Sequence, residues 1–132
     1  MTRLEPGLAR ELAIVVDESM TAEALGNAGV RVLATPMLVN YFEFACHALV
    51  MSKLADGQGT VGSRVDIRHL AATPVGMRVT FRATLIETDG RRLVFRVEAD
   101  DERERVGQGV HERFVIDMAA FTARVQDKSA RQ

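Results

Sequence analysis

Residues 35–55 read TPMLVNYFEFACHALVMSKLA, and this stretch decides the fold. A threonine followed by a proline is a helix start: Thr35 suits the N-cap and Pro36 the first helical position. The predicted helix runs over Pro36 to Ala55, and Asp56-Gly57 marks its end. Met37, Leu38, Val39, Phe42, Phe44, Ala45, Leu49 and Val50 put apolar groups on most of its circumference. Such a helix is buried on most sides rather than laid on a surface.

The segments after the helix alternate with the period of two that marks a half-buried strand. Thr60 to Leu70 reads as a strand, followed by a turn over Ala71 to Gly76. Met77 to Glu87 places Met77, Val79, Phe81, Ala83 and Leu85 on one face, with Arg78, Thr80, Arg82 and Thr84 on the other. Asp89-Gly90 is a strong hairpin signal. Arg91 to Asp100 alternates again with Leu93, Phe95, Val97 and Ala99 inward, and Val106 to Ile116 follows a charged turn at Asp101 to Arg105. Ahead of the helix, Leu8 to Val16 reads as a first strand. Asp17 to Gly29 then reads as a polar loop with a helical turn near Thr21 to Leu25, and Val30 to Ala34 as a connector. Asp117 is placed to cap a short helix over Met118 to Val125, and Lys128 to Gln132 reads as a frayed tail. One long helix against consecutive antiparallel strands is an α+β arrangement, expected as a single domain over residues 1–132.

The totals remove several classes of function. The chain has 132 residues, net charge −1 and 27% charged residues, so it lacks the basic footprint that nucleic acid or an anionic membrane would require. Cys46 is the only cysteine, which rules out an internal disulfide and leaves no thiolate cluster for a metal. Arg3, Glu5, Pro6 and Gly7 interrupt the opening residues, so no secretory leader is expected. The longest apolar run, Phe44 to Met51, contains His47 and is too short to span a bilayer. A cytoplasmic protein is the expectation.

Four groups stand out chemically. Asn40, Glu43 and His47 are spaced three and four apart and form one polar stripe on an otherwise apolar helix. A carboxylate there needs a partner or a cavity. The stripe either faces solvent or a subunit interface, or it lines a cleft in which Glu43 serves as base or nucleophile. Thr35 is explained by capping alone, although a helix N-terminus also offers N–H groups to an oxyanion. His69 ends a strand in Arg68-His69-Leu70 and is the best acid/base candidate of the three histidines; His111, beside Glu112 and Arg113, reads as structural. Glu43 with His47 lacks a third ligand, so no metal site is expected. Gly62, Gly107 and Gly109 lie inside strands, where glycine marks a bulge or a close backbone approach; for Gly107 and Gly109 a bulge is the expectation.

Several blocks resemble the fluoroacetyl-CoA thioesterase family. They are Ala34 to Val39 with Phe42 to Cys46, Gly62 with Arg68-His69-Leu70-Ala71-Ala72-Thr73-Pro74-Val75-Gly76, Asp89 to Leu93, and Gly107 to Arg113. The resemblance spans nearly the whole chain. It implies a hot-dog fold, an antiparallel sheet wrapped around one long central helix. It also implies an acyl-CoA thioesterase without a cofactor, assembled as a homodimer or a dimer of dimers. By the same resemblance Thr35, Glu43 and His69 match the family's threonine, glutamate and histidine, and Gly62 matches the glycine near the thioester; Asn40, on the stripe with Glu43, is a candidate substrate contact from its position alone. The lid phenylalanines of the family's best-known member have no counterpart in Gly26 to Ala34, so fluoroacetyl selectivity is not implied. Arg64, Arg68, Arg91 and Arg92 are candidates for the CoA phosphates or simply a solvated strand face. The alternative to an enzyme is a non-catalytic acyl-CoA-binding module.

Overall fold

A computed structural model describes residues 4–130. Strand β1 (Ala9–Val15) precedes a single 3-10 turn at Glu18–Met20 and helix α1 (Thr35–Met51). Strands β2 (Gln58–His69), β3 (Arg78–Asp89), β4 (Arg92–Asp101) and β5 (Arg105–Asp117) follow, and α2 (Met118–Ala130) closes the chain. The five strands form one antiparallel sheet in the order β1-β3-β4-β5-β2, so the expected hot-dog arrangement is what the chain adopts. β2 does not pair with its successor β3. It crosses to the far edge and pairs with β5, leaving β1 and β2 as the two edges.

The alternation read from the sequence produces the core. Val79, Phe81, Ala83 and Leu85 of β3 and Leu93, Phe95, Val97 and Ala99 of β4 are buried against Leu38, Phe42, Ala45, Cys46, Leu49 and Val50 of α1. Phe42 meets Phe81 edge-on with ring centroids 5.3 Å apart. Removing either ring would cost about 3–5 kcal/mol through lost transfer energy and the cavity left behind. Cys46 is part of this core, and burial pushes its thiol up to about 12.

Several expectations change. The helix N-cap is Ala34, not Thr35, and no side-chain capping bond is made there; Thr35 is the first helical residue, with its hydroxyl turned to another partner. α1 stops at Met51, capped by Ser52, four residues short of Ala55, because residues 52–57 turn toward β2. The sheet covers only part of the helix: Phe44 and Met51 are 60% and 58% exposed. Gly109 sits in regular register with both neighbouring strands, whereas Gly107 borders a β4–β5 register shift, where Ala99 faces Gly107 and Asp100 faces Arg105. They are close-approach glycines: a Cβ at Gly107 would lie 2.8 Å from Leu38, and one at Gly109 would lie 2.1 Å from the Asp66 carbonyl. The bulge in β2 falls between Gly62 and Arg64. α2 continues past Val125 to Ala130, so Lys128 to Ala130 are helical; residues 131 and 132 of the expected tail lie outside the described residues.

Candidate active site

The inner face of edge strand β2 carries Thr60, Gly62 and His69, and α1 runs alongside it. Two polar clusters result, one at each end of the strand.

The first joins the start of α1 to the end of β2. Thr35 Oγ1 lies 2.7 Å from His69 Nδ1. With Nδ1 so engaged, Nε2 is buried and has no hydrogen-bond partner among the described residues. Burial holds the imidazole below its ordinary value, opposed by the Ala71 backbone. Both residues line a cleft of about 370 Å³, whose other walls include Asn27, Val30, Leu33 and Leu70.

The second cluster surrounds Glu43. Its Oε1 sits 3.5 Å from Arg113 Nη1 and 3.7 Å from His111 Nε2. Arg113 is buried and well held: Nε donates to Thr60 Oγ1 at 2.9 Å and Nη2 to the Thr60 carbonyl at 3.1 Å. Burial lowers the guanidinium from its ordinary value, with Glu43 opposing, but an arginine stays cationic. His111 Nδ1 lies 2.8 Å from the Arg64 carbonyl, so it carries the proton and donates; Nε2 then accepts from Arg113 Nη1 at 3.2 Å. His111 is therefore neutral, in keeping with the lowering that burial imposes, and its approach to Glu43 is not an ion pair. Arg113 is the counter-charge.

Gly62 has a specific reason to be glycine. A Cβ there would lie 2.6 Å from Glu43 Oε1 and 3.2 Å from His111 Cε1. Gly62→Ala is expected to push the Glu43 carboxylate aside, because a flexible side-chain end yields before backbone does. Turnover should fall on the order of 100-fold through misplacement, with little change in the thermal unfolding midpoint. Parallel activity and melting assays check this.

Asn40 stands exposed on α1, three residues before Glu43, and its side chain makes no hydrogen bond to the described residues. His47 does not pair with Glu43; its Nδ1 lies 2.9 Å from Thr60 Oγ1. Arg64 and Arg92 flank Glu112 at 2.9 and 2.7 Å, so two of the four arginines considered for CoA are already paired. Among the described residues no helix is long and apolar enough to cross a membrane.

Residues 16–119 match the family of fluoroacetyl-CoA-specific thioesterases. The chain belongs to that family. The fluoroacetyl-CoA thioesterase of Streptantibioticus cattleyicolor is 41% identical over 99 residues, covering 75% of this chain and 71% of that protein. The solved structure of the fluoroacetyl-CoA thioesterase FlK matches with a TM-score of 0.91 at 34% identity, over 96% of this chain and 98% of that one. A thioesterase superfamily member from Thermus thermophilus matches with a TM-score of 0.91 at 32% identity, over 99% and 97%. Membership in a family of thioesterases favours a hydrolase over a non-catalytic acyl-CoA-binding module.

For this family member the sequence reading passed over Arg113 and took His111 as merely structural. Their signal was present: positions 111 and 113 of a strand share a face, and Val115 on that face is buried. A histidine and an arginine on an inward face need partners, and Glu43 was the unpaired carboxylate.

His47, His69 and His111 all have lowered proton affinity, each chiefly through burial. The unfolded chain then binds protons first, near the ordinary value of about 6.5, and the folded chain only at lower pH. Stability is full above about pH 6.5 and falls as pH drops below it. The midpoint of thermal unfolding should be lower at pH 5.5 than at pH 7.5; a rise on acidification would contradict these assignments.

Proposed function

We propose that this protein is a cytoplasmic homodimer that hydrolyses a small or medium acyl-CoA thioester to the acid and free CoA. Thr35, Glu43 and His69 carry the reaction, with Gly62 and Asn40 at the substrate. The carrying observation is the pair of clusters on β2, in a chain of thioesterase family.

Within one chain the clusters are apart. Glu43 is eight residues along α1 from Thr35, about 12 Å of helical rise. Gly62 and His69 are seven residues apart on β2, roughly 20 Å along a strand. β2 is an edge strand, and its middle, around Val65 and Asp66, is exposed. Antiparallel pairing of β2 with β2 of a second copy about that point would satisfy both edges. It would also bring Gly62 and Glu43 of one copy beside His69 and Thr35 of the other, within about a residue of register. The uncovered face of α1, with Phe44 at 60% exposure, would be buried by the same contact.

In the assembled site Glu43 takes a proton from water. The water oxygen bonds to the thioester carbon and the carbonyl oxygen becomes an oxyanion. N–H groups at the Gly62 bulge or the start of α1 would hold it. The carbon–sulfur bond then breaks and the leaving sulfur takes the Nε2 proton of His69, whose ring Thr35 fixes through Nδ1; the proton that Glu43 gained from water passes to the ring in its place, so both residues end in their starting states. Thr35 at 2.7 Å from His69 is also nucleophile–base geometry, which favours a second reading with an acyl-threonine intermediate. Trapping with an acyl-CoA and mass spectrometry decides between them: acyl on Thr35 supports the second, none the first.

The test of the function is thiol release from a panel of acyl-CoAs, from acetyl to phenylacetyl. Turnover of at least one member is the expected result. A folded protein that releases no thiol from any would overturn the hydrolase reading.

A further inference from the structure

We propose that the cavity just beyond Glu43, between the second half of α1 and the start of β2, receives the far end of the acyl chain. There His47 selects chains bearing a neutral hydrogen-bond acceptor about four atoms from the thioester carbon. This rests on Glu43 being at the reacting end of the site, as proposed above.

The cavity has a volume of about 490 Å³, and His47, Met51, Leu54, Gly59, Thr60 and Met118 line it. It continues the Glu43 side of the helix, because His47 lies four residues on and shares its face. Thr60 joins the two places physically: it accepts from Arg113, which meets Glu43, and it contacts His47. The composition of the walls says which half of the substrate fits. CoA is a polyanion, yet among the described residues no lysine or arginine lines this cavity, and the one charged residue there is Asp56. Methionine and leucine walls suit an acyl chain.

The hydrogen-bond order fixes what His47 offers. Arg113 Nε–H donates to Thr60 Oγ1, so the Thr60 hydroxyl proton is free to be donated onward. The acceptor in reach is His47 Nδ1, at 2.9 Å. The imidazole, with its proton affinity lowered by burial and by Arg113, is neutral and carries its proton on Nε2. Nε2 is thus a donor beside apolar walls and asks for a neutral acceptor such as a ketone. From Glu43 to His47 is one helical turn, about 5.4 Å, roughly four bonds of an extended chain. Met118 sets the depth: its sulfur lies 2.7 Å from where a Cβ on Gly59 would be, close against the backbone of β2.

The experiment compares 4-oxopentanoyl-CoA with pentanoyl-CoA by kcat/KM, using wild type, His47→Leu and Met118→Ala. Wild type should favour the ketone by about tenfold, the worth of one hydrogen bond in an otherwise apolar site. In His47→Leu that ratio should fall to near one, and a general loss of activity would scale both substrates alike. Met118→Ala should raise octanoyl-CoA relative to pentanoyl-CoA several-fold. A wild-type ratio near one, a ratio preserved in His47→Leu, or an unmoved chain-length preference in Met118→Ala overturns the inference. If wild type hydrolyses none of these, the hydrolase reading fails first. Calorimetric binding of the same two thioesters then decides: equal affinities overturn the acyl-end assignment, and a preference lost in His47→Leu sustains it.

Discussion

Glu43→Gln is expected to lower kcat/KM by about 10³-fold or more while leaving the fold in place, because it removes the base and keeps the shape of the side chain. Arg113 is the group most exposed to the change. It keeps both bonds to Thr60 and its contact with His111, and the new amide oxygen can still accept from Nη1. The buried Arg113 guanidinium loses its counter-charge but keeps its hydrogen bonds, and Glu43 is itself partly exposed, so the loss of stability should be about 1–3 kcal/mol, short of unfolding the protein. Steady-state kinetics beside thermal melting checks both halves. A variant that keeps its rate removes Glu43 from the mechanism. One that loses its fold means the Glu43–Arg113 contact is structural.

His69→Ala is expected to cost about 10²–10⁴-fold with a CoA substrate, by loss of the proton donor to the leaving sulfur. The size of the loss should depend on the leaving group. An aromatic thiol departs without protonation, so aryl thioesters should lose far less in His69→Ala than acyl-CoAs do. Glu43→Gln should hit both alike, since water must be activated in either case. A loss in His69→Ala that is the same for aryl and CoA thioesters would show that His69 does not act on the leaving group. The Thr35 contact at 2.7 Å would then be read as nucleophile activation.

How much of this was legible in the sequence depends on the range of the forces involved. The inward rows of β3 and β4 were readable because strand alternation is local, and Phe81 and Phe95 are buried where the pattern put them. Helix α1 was readable from its apolar content, but not its end, since Ser52 is set by the approach of β2 rather than by a local stop signal. Capping misled at Thr35: the sequence offered a good N-cap, and a histidine 34 residues away claimed the hydroxyl. The crossover of β2 to β5 is a long-range choice with no local signature, and it is what brings Arg113 and His111 onto Glu43. The glycines were legible as special but not as to why. Gly62 makes room for a carboxylate, whereas Gly107 makes room for Leu38.

The central claim is that one active site takes Glu43 from one copy and His69 from the other. Subunit exchange between the Glu43→Gln and His69→Ala variants tests it most directly. Each variant alone should be nearly inactive. After exchange to statistical equilibrium half the dimers are mixed, and each mixed dimer has one site with both native residues, so about a quarter of wild-type activity should return. Activity that never exceeds the sum of the two separate variants, with exchange verified by native mass spectrometry, would contradict the shared site and place both residues' action within a single chain.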